Sequence, residues 1–137
     1  MVLVNLQEAK KKILQQLKLK YPPKNSDLRF TARVKDNRLT VVVISDEVFE
    51  KALAFDIEKC ESLKSDFGDA FYQDAVNRLN KKEELQLVGR ANAALLKVIE
   101  RTIVEQGNHE SESDIYTDYY RCNFFYYVSV RKASKTA

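Results

Sequence analysis

The chain opens on a helical pattern of apolar positions. Over about 5–20, Leu6, Ile13, Leu14 and Leu17 recur at helix spacing, with Leu3 just ahead of them. Asn5 and Glu8 stand at capping-box spacing, with Asn in place of the usual Ser or Thr. Pro22-Pro23 ends the helix, because a proline ring lacks the N–H and disfavours helix in the residue before it.

The period then changes to two. In 28–35, Leu28, Phe30, Ala32 and Val34 alternate with Arg29, Thr31, Arg33 and Lys35. Asp36-Asn37 is a two-residue turn tolerant of positive φ, and 38–44 follows with strong β-formers. Residues 28–44 therefore predict a β-hairpin.

Helical spacing returns over 46–64, where Val48, Ala52, Leu53, Phe55 and Cys60 share a face and Ser45 or Asp46 caps the start. Gly68 separates this from a shorter helix over about 69–79. Asn80 and Glu83 again have capping-box spacing, which predicts a long helix over about 81–106. Gly89 lies inside it, where glycine costs about 1 kcal/mol relative to Ala and suggests a close helix contact. Gly107-Asn108 is a helix stop, and 108–118 reads as an acidic loop. Aromatic and β-branched residues over 123–131 predict the last strand.

The predicted order is α-β-β-α-α-α-β. It implies an α+β fold in which an antiparallel sheet of at least three strands packs against helices. Residues 1–131 are expected to form one domain, and 132–137 a flexible tail. No repeat or low-complexity tract is present.

Alternation also assigns the two faces of the sheet. One is apolar. The other carries Arg29, Arg33 and Lys35 from the first strand and Arg38, Thr40, Val42 and Ile44 from the second. The last strand offers Phe124, Tyr126, Val128 and Val130, or Phe125, Tyr127, Ser129 and Arg131. The second set is more polar, so it is placed beside the arginines. Arg29, Arg33, Lys35, Arg38 and Arg131 are then candidate phosphate ligands, and Phe125 and Tyr127 candidate stacking rings. Tyr116, Tyr119, Tyr120 and Arg121 could extend this surface.

Charge gives the same reading a context. The net charge is +3 over 137 residues, but residues 1–38 carry +7, 45–74 carry −6 and 119–137 carry +4. One interpretation is a basic surface for single-stranded or structured nucleic acid. The alternative is a protein-protein adaptor or inhibitor, a homodimer that hides its second sheet face and pairs opposite charge blocks.

Composition excludes several chemistries. Three isolated glycines cannot form a phosphate-binding loop or a dinucleotide fingerprint. His109, with Glu110, Glu112 and Asp114, is the only cluster resembling metal ligands, and one His with acids on a loop rarely suffices. No nucleophile turn surrounds Cys60 or Cys122, which read as small core residues of a reducing compartment. No enzyme activity, metal or cofactor is expected. With no apolar run of spanning length and no signal-like start, the protein is expected to be cytoplasmic. The apolar stripe of 5–20 is too narrow for a membrane surface.

Overall fold

The computed structural model describes residues 4–87, 89–114 and 119–133, with the backbone alone at 112–114 and 119–121. Helix α1 (Leu6–Lys20) starts where the sequence places it. The Asn5 side chain accepts hydrogen bonds from the N–H groups of Gln7 and Glu8, at 3.1 and 3.3 Å. Asn5→Ala should therefore cost about 1 kcal/mol in urea unfolding, and Asn5→Asp should recover most of it.

Strands β1 (Arg29–Lys35) and β2 (Arg38–Ile44) form the hairpin, paired from Arg29 with Ile44 to Lys35 with Arg38. Asp36 takes φ +54° in the turn. Helix α2 (Asp46–Ser62) is capped by Ser45, whose side chain accepts from the Val48 N–H. A four-residue helix α3 (Lys64–Phe67) and, after Gly68 at φ +87°, helix α4 (Asp69–Asn80) follow.

The long helix expected over 81–106 is corrected at its start. Strand β3 (Glu84–Gln86) comes first, and helix α5 (Gly89–Gly107) only then begins. The cause is period: Leu85 and Leu87 are buried while Glu84 and Gln86 point the other way. Gly89 thus opens α5 and has no close helix neighbour. The helix is interrupted at Asn92, which is non-helical. At its far end Asn108 takes φ +52° and makes the stop. Gly107 is kept small by packing, since a Cβ there would lie 3.1 Å from the Phe124 ring.

Strand β4 (Ser111–Asp114) lies inside the segment 108–118 expected as a loop, and it pairs antiparallel with β5 (Tyr119–Cys122). Main-chain pairing builds this ribbon, and the polar Ser-Glu-Ser-Asp of β4 has no apolar alternation to announce it. Tyr116 lies outside the described residues, as do the side chains of Tyr119, Tyr120 and Arg121 and the tail 134–137.

Strand β6 (Phe125–Arg131) completes a four-stranded sheet of order β1-β2-β6-β3. The sheet is mixed and not antiparallel throughout, because β6 runs parallel to β2. The helical section returns the chain to the end where β2 began. The Phe125 N–H donates to the carbonyl of Asn37 in the hairpin turn, at 2.9 Å. Strand β3 pairs antiparallel with β6.

The core lies on one side of this sheet. Ala9, Ile13 and Leu17 from α1, Phe49 and Ala52 from α2, and Ile99 and Ile103 from α5 pack on Leu39, Val41, Val43, Val128 and Val130. No described helix is long and apolar enough to cross a membrane.

Candidate nucleic-acid interface

The pairing registers place the opposite face in four rows. Lys35, Arg38 and Phe125 form the first; Arg33, Thr40 and Tyr127 the second; Thr31, Val42, Ser129 and Gln86 the third; Arg29, Ile44, Arg131 and Glu84 the fourth. All seven predicted residues thus share one face, which carries five cationic side chains against one carboxylate. Phe125 and Tyr127 are exposed at 49% and 41%. Neither ring is sealed beneath a helix.

The cations differ in how they are held. The Arg38 guanidinium lies 4.9 Å from the centre of the Tyr127 ring, a cation–π contact. Lys35 makes no ion pair with a described residue. Arg29 donates to the carbonyls of Ser26 and Leu28. Arg33 is engaged far more strongly. Its two terminal nitrogens donate to the two oxygens of Glu84 at 2.9 and 2.6 Å, a bidentate fork.

That fork crosses the whole sheet. Arg33 is on edge strand β1 and Glu84 on edge strand β3, three strand spacings or roughly 14 Å apart. It runs diagonally from the second row to the fourth, above Val42 and Ser129 in the third. No helix of the core covers this side, yet Val42 is 1% exposed.

Glu84 is the feature sequence reasoning missed. Placed in a helix, it had no reason to meet Arg33, 51 positions away. The available signal was the alternation of Leu85 and Leu87 against Glu84 and Gln86. The Arg33 hydrogen bonds hold the Glu84 carboxyl below its ordinary range, and the charges of Arg33 and Arg131 add to them against the cost of burial. The same hydrogen bonds raise Arg33. The stabilisation is therefore present above an ordinary Glu value near 4.3 and is lost as pH falls through the lower folded value. Arg33→Gln should make stability less steep with pH below about pH 4, measured by urea unfolding across an acid series.

Two shallow depressions open on the face. One, of about 430 Å³, is lined by Lys35, Asp36, Asn37, Arg38 and Phe125 at the hairpin end. The other, of about 230 Å³, lies between Arg33, Arg38, Thr40, Gln86, Tyr127 and Ser129. Arg38 forms a wall of both.

His109 serves packing. Its Nε2–H donates to the Phe124 carbonyl at 3.0 Å, and its ring sits edge-on to Phe124 and Tyr126. Among the described residues no group of three or more His, Cys, Asp or Glu side chains could hold a metal ion. Cys60 and Cys122 are free thiols and only partly buried, not core residues as the sequence suggested.

Comparison with protein-family models, with curated proteins and with solved structures finds no match.

Proposed function

We propose that this chain is a small cytoplasmic, non-enzymatic module that binds single-stranded or structured nucleic acid on the open face of its sheet. One observation carries the reading: exposed Phe125 and Tyr127 stand in the same rows as Lys35, Arg38 and Arg33, on a face that the core helices leave open. Cations along such a face neutralise phosphates, and a ring offers unpaired bases a stacking surface worth about 1–3 kcal/mol per base. The depressions are shallow and shared, which suits a strand laid across the sheet better than an enclosed small substrate.

A filter-binding titration with a short single-stranded oligothymidylate, at low and moderate salt, tests this. Binding that weakens linearly in log salt is expected. Absent binding, or binding indifferent to salt, refutes it.

A second reading, a homodimeric adaptor, has its own observation. Leu63, Phe67 and Phe71 are exposed within the acidic segment 45–74, with the two Phe rings 5.0 Å apart. A second copy could set its basic face against them. Sedimentation equilibrium separates the readings, because a tight dimer at micromolar concentration favours this one.

A further inference from the structure

We infer that Arg33 is a phosphodiester site on the sheet face, closed in the free protein by the chain's own Glu84 carboxylate. The inference rests on the nucleic-acid reading and deepens it.

The geometry of the fork is the first ground. A guanidinium presents paired N–H groups that fit a carboxylate and a phosphate alike. Glu84 fills both positions on Arg33, at 2.9 and 2.6 Å, so a phosphate oxygen pair has the same place to go. Location is the second ground. Arg33 shares its row with Tyr127 and lines the 230 Å³ depression with Arg38. A base stacked near Tyr127 brings its own phosphate within reach. The Arg33 side chain is also 58% exposed, so an incoming strand meets it from solvent.

The third ground is that the displaced carboxylate has somewhere to move. Glu84 pairs in register with Arg131, whose Nε is buried and makes no hydrogen bond. Turning from Arg33 to Arg131 keeps Glu84 compensated while Arg33 takes the phosphate. Arg131 then acts as the receiver for Glu84 and not as a phosphate ligand. Glu84 also lies on the three-residue edge strand β3, with its side chain 30% exposed.

Glu84 thus competes with every phosphate that approaches. The competition lowers affinity for weak polyanions and favours a strand that can also stack on the aromatic rings. This is discrimination by an internal mimic of the ligand.

The test is a set of titrations with oligothymidylate on the full chain. Glu84→Gln should bind about tenfold tighter at low salt. Its log affinity should fall more steeply with log salt, by about 0.7 for one added phosphate contact. Arg33→Gln should bind more weakly than the parent. In the Arg33→Gln background, Glu84→Gln should give less than about a threefold gain, because no site remains to be opened.

Parent binding with an unchanged or weaker Glu84→Gln overturns the inference. An undiminished gain in the Arg33→Gln background also overturns it, showing general repulsion in place of an occupied site. A parent that does not bind at all refutes the proposed function itself, and this inference falls with it. Should Glu84→Gln fail to fold, the carboxyl carbon resonance of Glu84 in the parent decides. It should shift as oligothymidylate is added, and an unmoved signal at saturation counts against displacement.

Discussion

Lys35→Gln with Arg38→Gln should bind a single-stranded oligonucleotide roughly a hundredfold more weakly than the parent at low salt. The two side chains form the row at the hairpin end with Phe125, and neither pairs with a described carboxylate. Removing them deletes two phosphate contacts, so the slope of log affinity against log salt should fall by about 1.4. Tyr127→Ala should behave differently. It removes a stacking ring worth about 1–3 kcal/mol per base and leaves the salt slope nearly unchanged. Filter binding over a salt series reads both quantities. If the double variant keeps the parental slope, those cations do not touch the backbone and the ligand sits elsewhere. Arg38 complicates its own variant in one respect. It lies against Tyr127, so its loss also frees that ring and adds to the drop.

Phe124→Ala should cost about 3–5 kcal/mol, read by urea unfolding. The side chain is fully buried just before β6. It meets Gly107 at the end of α5 and packs edge-on against His109. Its carbonyl accepts from His109, and the next N–H bonds to the hairpin turn. The ring thus ties the entry of β6 to the end of α5 and to His109. A domain of this size is stable by only about 5–15 kcal/mol, so the variant should lie close to unfolding at ambient temperature. Phe124→Leu should cost less, since it refills most of the space.

The hairpin was legible in the sequence because its alternation is strict and its turn is bounded by two such runs. The choice of Phe125, Tyr127, Ser129 and Arg131 for the open face was legible for a related reason. Polarity divides the two sets within one strand. Strand direction was not, because a period of two is the same read either way. Only the path of the chain makes β6 parallel to β2. Strand β3 was hidden by length: three residues cannot show a period against a long helical stretch that follows at once. Asn80 and Glu83 strengthened the wrong reading, since the same spacing occurs by chance at the end of α4. The β4–β5 pair is held by main-chain bonds that leave no mark on side-chain pattern. The Arg33–Glu84 fork was beyond any local rule, as its partners meet only after the sheet order is known.

Among the four strands of the sheet, β6 comes latest in the chain, and it lies between β2 and β3. While a ribosome is still adding residues before 125, the hairpin can already zip up within about 1–10 μs. Its inner edge then stays bare, and β3 has no neighbour to join in that sheet. A message or protease cut that removes 125–131 would leave the main-chain N–H and C=O groups of β2 unpaired along Val41, Val42 and Val43, inviting pairing with other copies. Synthesis must therefore run nearly to residue 131 before the nascent chain can be left unattended.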